Sequence, residues 1–338
     1  LTDLVDRVLS GETRAAARLC RVLDDRAPGY REEARDLYAR APRAYVVGVT
    51  GSPGAGKSTL VDRLVAAFRA DGRRVGVVAV DPSSPYTGGA VLGDRIRMQR
   101  HFEDPDVFIR SVATRGAMGG LSRSTRDVVR VLEGWGAGVV LLETVGVGQD
   151  ELDVTLVADT TVVVVVPGLG DDVQAVKAGI LEVADVLVVN KADRPLADAT
   201  VRDLENMLAQ GALSREAIAH RPAARGHSLV GQSAARGSED GAWTPPVLRT
   251  VATKGEGIGE LVARLGEHRA WLDSGEGRKL RQDRARALIA IWLRDAIAES
   301  VGEGLGDALE SVAERVLARD VDPYDAVADL VDRWRSRV

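Results

Sequence analysis

Residues 45–59 read Tyr-Val-Val-Gly-Val-Thr-Gly-Ser-Pro-Gly-Ala-Gly-Lys-Ser-Thr. Tyr45–Thr50 is a short apolar, β-branched run; a glycine-rich turn, Gly51–Gly56, follows; Lys57-Ser58-Thr59 then opens a segment with helical spacing. The pattern is G-x-x-x-x-G-K-[ST] in the setting its mechanism needs, a strand before and a helix after. Glycines at 51, 54 and 56 allow the backbone to wrap closely around an anion with its N–H groups turned inward. The helix N-terminus adds partial positive charge. Lys57 is expected to reach the β- and γ-phosphates of a nucleotide and Ser58 to hold Mg2+, with Ser52, Pro53, Ala55 and Thr59 completing the cradle.

Outward from this stretch, short β-branched runs alternate with helical ones: Val75–Val80, Val107–Ser111, Val139–Leu142, Thr161–Val166, Val186–Val189 and finally Val247–Val251. Runs that are apolar throughout suit parallel strands covered on both faces, so the expected fold is α/β, a doubly wound and mostly parallel sheet. Residues 1–42 are helical in pattern, with Leu4, Val5, Val8 and Leu9 on one face, Leu19, Val22 and Leu23 repeating the spacing, and a break at Pro28-Gly29. A helical tail is expected from Gly259 onward, interrupted near Ser274-Gly275 and at Gly302–Gly306. Its residues Leu288, Ile291, Trp292 and Leu293 form an apolar stripe suited to this domain or a second subunit. Residues 211–242, rich in Gly, Ala, Ser and Arg, read as a surface loop. The expected organisation is an N-terminal helical segment at 1–42, a nucleotide domain at 43–265 and a C-terminal helical arm at 266–338.

Composition narrows the classes. The 338 residues are 45% hydrophobic and 28% charged, enough for a sizeable core without staples. A formal net charge of −5 argues against a nucleic-acid binder, which needs a basic surface. Cys20 is the only cysteine, so neither an intrachain disulfide nor a CxxC metal site can form. Val162–Val166 is far shorter than the roughly 20 residues of a spanning helix. No membrane association is expected, and the absence of a leader pattern points to the cytoplasm.

Two further motifs follow strands. Asn190-Lys191-Ala192-Asp193 comes after Val186–Val189. The Asp193 carboxylate can accept from guanine N1–H and its 2-amino group, which adenine cannot match, while the Lys191 stem lies along the base. Glu143-Thr-Val-Gly146 comes after Val139–Leu142, where an acidic residue organises Mg2+ and Gly146 can offer its N–H to the γ-phosphate. Val147 stands where a water-orienting Gln is common, with Gln149 two residues on, so slow intrinsic hydrolysis is expected. Asp81, at the end of Val75–Val80, heads a long segment reaching Asp94, Arg95, Arg97 and Met98. Its spacing alone fits a metal and water shell or a solvated loop equally well.

Together these segments resemble the MeaB family, the G-protein chaperones of adenosylcobalamin-dependent acyl-CoA mutases that include the methylmalonic aciduria type A protein and belong to the SIMIBI class. The strings that carry the resemblance are VGVTGSPGAGKSTL, AVDPSSPYTGGAVLGDRIRM, ATRGAMGGLS, LLETVGVGQDE, GDDVQAVKAGILEVADVLVVNKAD and WTPPVL. The resemblance implies GTP/GDP and Mg2+ as cofactors, with Asp81, Asp94 and Glu143 shaping the metal and water shell. It places Arg97 in a first switch and Gly146–Gln149 in a second. Asp171, Asp172, Gln174 and Lys177 fall in a third, which couples nucleotide to the mutase. It also implies homodimerisation through the C-terminal arm. One departure lies in the last base-binding loop, which reads Val251-Ala252-Thr253 rather than Ser-Ala, so that contact falls to the N–H of Ala252 or its neighbour. The histidines at 101, 220, 227 and 268 read as surface or satisfied side chains rather than metal ligands. Two alternatives stay open: a SIMIBI metallochaperone GTPase, which would need a Cys/His site, and a nucleotide-dependent kinase linked to amino-acid transport.

Overall fold

The computed structural model describes residues 2–81, 98, 100–113, 123–144, 150–168, 184–219 and 241–336. They fall into two compact units, Leu1–Arg281 and Gln282–Val338.

The first unit opens with helices α1 (Thr2–Leu9), α2 (Thr13–Asp24) and α3 (Tyr30–Arg40). Strands and helices then alternate: β1 (Tyr45–Gly51), α4 (Lys57–Ala70), β2 (Val75–Asp81), β3 (Val107–Ala113), α5 (Arg123–Gly134), β4 (Val139–Thr144), α6 (Asp150–Val157), β5 (Thr160–Val165), β6 (Val186–Asn190), α7 (Ala197–Ala219), β7 (Val247–Thr250) and α8 (Ile258–Trp271). The seven strands lie in the order β3-β2-β4-β1-β5-β6-β7. Every pairing is parallel, with β1 in the middle, Tyr45 against Val139 and Val47 against Thr160. Strands β1, β4, β5 and β6 are buried along their whole lengths, which is why their sequences carry no in/out alternation.

Alternate side chains still sort to opposite faces. Val47, Val49, Val77, Leu141, Val162 and Val164 pack with Leu60, Val61 and Leu64 of α4 and with Ile258, Leu261 and Leu265 of α8. Val46, Val78, Val140 and Leu142 point the other way, to α5 and α6 and to Val5, Val8, Leu19 and Leu23 of the N-terminal helices. Those helices therefore share a core with the sheet. Trp135, fully buried at the end of α5, is the hub of that contact: its Nε1 donates to Thr13 Oγ1 at 3.2 Å, Phe108 lies 5.7 Å away, and the Arg74 guanidinium covers its ring at 4.4 Å.

The edge of the sheet where the strands begin is closed by a polar cluster. The Tyr45 hydroxyl and Thr160 Oγ1 share a hydrogen bond at 2.5 Å, Tyr45 also donates to Leu265 O, and Thr160 Oγ1 meets His268 Nδ1 at 2.7 Å. His268, fully buried in α8, packs against both Trp243 and Trp271 and lies 3.5 Å from Asp185. Burial drives the Tyr45 pKa upward. His101 is also buried, against Asp62. Both are buried beside a protein carboxylate; His220 and His227 lie outside the described residues.

Two expectations are corrected here. Residues 211–219 are not loop: α7 continues to Ala219, since Ala-Leu-Ser-Arg-Glu-Ala-Ile-Ala after Gly211 are adequate helix formers. The expected interruption at Gly302–Gly306 is absent too. Helix α9 runs unbroken over Gly275–Leu317, and α10 covers Pro323–Arg335. Each internal glycine costs about 1 kcal/mol. Within the second unit that cost is offset by Leu305 and Val312 packing on Ala326 and Leu330 of α10. The break instead follows Leu317, where Asp322 Oδ1 accepts from Tyr324 N at 2.8 Å and Pro323 takes the first helical position. Ile289, Trp292, Leu293 and Ile297 of α9 remain 61%, 39%, 60% and 43% exposed. Among the described residues, no helix is long and apolar enough to cross a membrane.

Leu19 is fully buried where α2 meets the sheet's core. Leu19→Ala is expected to destabilise the first unit by about 2–5 kcal/mol, read as a lower urea midpoint of tryptophan fluorescence.

Candidate nucleotide-binding site

The phosphate loop leaves β1 at the carboxyl edge of the sheet, and two of its glycines are dictated by close approach. Gly51 has φ 132°, and a Cβ there would overlap the Val164 carbonyl of β5. Gly56 has φ 88°, and its Cβ would meet Asn190 Nδ2 at 2.5 Å. At these two positions the turn is thus drawn down onto β5 and β6 with no room for a side chain. Lys57 begins α4 and is buried; its ammonium donates to Gly51 O at 2.7 Å and Ser52 O at 3.1 Å, which arches the side chain back over the loop. Ser58 Oγ donates to Glu143 Oε1 of β4 at 2.6 Å, and Glu143 is 3% exposed. The structure therefore brings together two residues that the sequence proposes for Mg2+ from positions 85 apart. Asp81 ends β2 one residue beyond the Val80–Thr144 pairing, at the same edge. Beside them Thr144 Oγ1 donates to Thr50 Oγ1 at 2.9 Å, locking the ends of β4 and β1 together.

Asn190, the last residue of β6, is 2% exposed and makes three contacts. Its Nδ2 donates to Ala55 O of the phosphate loop at 2.8 Å. Its Oδ1 accepts from Thr250 Oγ1 at 3.0 Å and from Ala252 N at 3.1 Å. One amide thus ties the phosphate loop to the end of β7 and to the 251–253 loop. Lys191, in the left-handed region at φ 57°, donates to Gly54 O at 2.7 Å and so lies across the same loop. Asp193 keeps its carboxylate accessible, 3.6 Å from Lys254 Nζ.

Several residues of this arrangement escape sequence reading. Arg63 of α4 donates from Nε to Ala252 O at 2.8 Å and from Nη2 to Thr253 O at 2.6 Å; a mid-helix arginine carries no signal of that. Thr250 and Lys254 are ordinary residues until Asn190 and Asp193 are seen beside them. Gly257 had a signal, a glycine at a helix start: its φ is 77°, and a Cβ would strike the Arg249 carbonyl. Asp62 of α4 anchors the chain just past the long 82–97 segment, accepting from Arg100 Nε at 2.7 Å with His101 Nε2 3.0 Å away. Asp94, Arg97, Gly146, Asp171, Asp172, Gln174 and Lys177 lie outside the described residues. Among the described residues no cluster of three or more His, Cys, Asp or Glu could hold a metal ion. Cys20 is buried, and burial pushes its thiol pKa up to about 12.

Residues 16–305 match the family described as "Methylmalonyl Co-A mutase-associated GTPase MeaB". A Pyrococcus abyssi protein that carries a GTPase name is 45% identical over 333 residues, covering 98% of this chain and 95% of that one. The methylmalonic aciduria type A homolog of Mus musculus, named as mitochondrial, is 32% identical over 344 residues, covering 100% of this chain and 76% of that one. A crystal structure described as that of an LAO/AO transport system kinase superposes with a TM-score of 0.63 at 24% identity, covering 98% of this chain and 96% of that one, which speaks to the shared fold alone. With the match spanning most of its length, and with relatives aligned nearly end to end, the chain belongs to the MeaB family of GTPases.

Proposed function

We propose that this GTPase is the nucleotide-gated chaperone of an adenosylcobalamin-dependent acyl-CoA mutase, controlling cofactor loading and protecting the loaded enzyme. The observation that carries the reading is the match over residues 16–305 to a family described by its association with methylmalonyl-CoA mutase. The mouse relative named for methylmalonic aciduria supports the same assignment.

In this reading the loop N–H groups and the Lys57 ammonium bind the β- and γ-phosphates, and Asp193 accepts from the donor edge of guanine. Ser58 and Glu143 form a hard, all-oxygen donor pair 2.6 Å apart that fits Mg2+, with Asp81 and Asp94 as further oxygen ligands or water holders. Bound Mg2+ supplies charge neutralisation at the phosphates. Arg97 and Gly146 respond to the γ-phosphate from the first and second switches, and Asp171, Asp172, Gln174 and Lys177 pass the difference to the mutase. Val147 offers no group to orient a water, so hydrolysis is slow and a partner completes the site. The exposed Ile289, Trp292, Leu293 and Ile297 support homodimerisation through the C-terminal arm.

Three outcomes are expected. Co-purification with candidate mutases should differ between GDP and a non-hydrolysable GTP analogue; equal recovery in both states, or none, would overturn the chaperone reading. Asp193→Asn should weaken GDP binding by roughly 100-fold and shift preference toward xanthosine diphosphate, whose 2-oxo group accepts from an amide; calorimetry with both nucleotides checks this. Asn190→Ala strips the amide that joins the two loops and should lower GDP affinity at least roughly tenfold, with a lower Tm of the unliganded protein, since buried donors lose their acceptor.

A further inference from the structure

Of residues 251–255, which follow β7, four commit their backbone N–H groups within the protein. Val251 N donates to Glu256 O at 3.1 Å, Lys254 N to Val251 O at 2.9 Å and Gly255 N to Ala252 O at 3.3 Å. Ala252 N is taken by Asn190 Oδ1 at 3.1 Å. That leaves Thr253 N, which among the described residues has no protein acceptor. Its residue is exposed while Val251 and Ala252 on its N-terminal side are 5% and 2% exposed. The next residue along, Lys254, holds its ammonium 3.6 Å from the Asp193 carboxylate, so the turn lies beside the group assigned to the guanine N1–H and 2-amino edge. On guanine the 6-oxo acceptor adjoins that donor edge. A site that reads both needs an N–H next to the carboxylate.

The orientation of a peptide N–H is set by the carbonyls on either side of it, because each peptide unit is planar. The Thr253 N–H belongs to the peptide whose carbonyl is Ala252 O, and the following peptide begins with Thr253 O. Arg63 grips both oxygens, with Nε on Ala252 at 2.8 Å and Nη2 on Thr253 at 2.6 Å. A guanidinium is planar and its donors are fixed in a fork, so it holds two acceptors in one relative geometry, which an ammonium cannot. Arg63 projects from α4, whose first residues, Lys57 and Ser58, serve the phosphate end of the site.

We infer that Arg63 is a positioning residue for base recognition: by clamping the Ala252 and Thr253 carbonyls it presents the Thr253 N–H to the 6-oxo group of guanine. This deepens the guanine-site reading above and rests on it. The same clamp joins base recognition to the helix that starts at the phosphates.

The test measures dissociation constants of GDP, 6-thio-GDP and inosine diphosphate by calorimetry on the full chain. 6-Thio-GDP replaces the 6-oxo by a weakly accepting sulfur and keeps N1–H and the 2-amino group; inosine diphosphate keeps the 6-oxo and lacks the 2-amino group. The wild type should prefer GDP to 6-thio-GDP by roughly fivefold to tenfold, the weight of one neutral hydrogen bond. In Arg63→Ala that preference should collapse toward unity while the GDP-to-inosine ratio stays as in the wild type. Arg63→Lys, keeping charge without the fork, should behave like Arg63→Ala. Replacing the Thr253 amide by a backbone ester, which removes the N–H and also weakens the Ala252 carbonyl that Arg63 holds, should reproduce the collapse and stands in if the Arg63 variants fold poorly. Undiminished GDP preference over 6-thio-GDP in the variants, or full recovery with lysine, would overturn the role of Arg63; an unaffected ester variant would overturn that of Thr253. A wild type that does not distinguish GDP from inosine diphosphate would instead sink the guanine-site reading itself.

Discussion

A single buried amide holds the ligand end of this molecule together. Asn190 donates to Ala55 and accepts from Thr250 and Ala252, joining the loops after β1 and β7 across β6. Loops at the carboxyl edge of a parallel sheet are otherwise independent, each tethered only to its own strand. Once they share buried hydrogen bonds, displacing one leaves a donor or acceptor of another unsatisfied, which costs about 1–3 kcal/mol. The phosphate loop and the 251–253 loop are thereby two sides of one rigid cradle. Arg63 adds a second tie, from the phosphate-end helix to the far loop.

The edge that holds Ser58 and Glu143 is built differently. Ser58 and Glu143 meet through a short hydroxyl–carboxylate bond, and the ends of β1 and β4 meet through Thr50 and Thr144. All four residues come from the helix and strands that flank the centre of the sheet, so their spacing follows from the packing of Leu60, Val61 and Leu64 against Val47, Val49 and Leu141. The geometry needed for phosphate chemistry thus rests on fully buried side chains. At the opposite edge, the Tyr45–Thr160–His268 cluster closes the starts of β1 and β5 onto α8.

Much of this was legible in the sequence, because the signals involved are local. Continuous apolar runs marked the buried parallel strands, and the glycine turn before Lys57 and the Asn190–Asp193 string sit directly after such runs. Residue type at those positions told what chemistry was possible. What stayed hidden is pairing at long range. Asn190 reads as part of a base-recognition string, and nothing nearby shows that its amide is spent on other loops. Nothing around Arg63 in sequence points to its two carbonyl partners, and the N-terminal helices show apolar faces without showing that the sheet's own core covers them. The uninterrupted α9 went unseen because Gly302 and Gly306 argue locally for a break that packing on α10 overrides.

The place of β1 at the centre of the sheet also bears on how the chain comes off the ribosome. Its two neighbours, β4 and β5, end at Thr144 and Val165, so Tyr45–Gly51 is made long before either partner exists. At the usual speed of synthesis the delay is on the order of ten seconds. Throughout it, a strand of mostly apolar side chains and unpaired backbone has no edge to join, and β2 and β3 cannot reach β1 without β4. The nascent protein therefore passes through an obligatory sticky interval, and its yield in a cell depends on how well that interval is shielded.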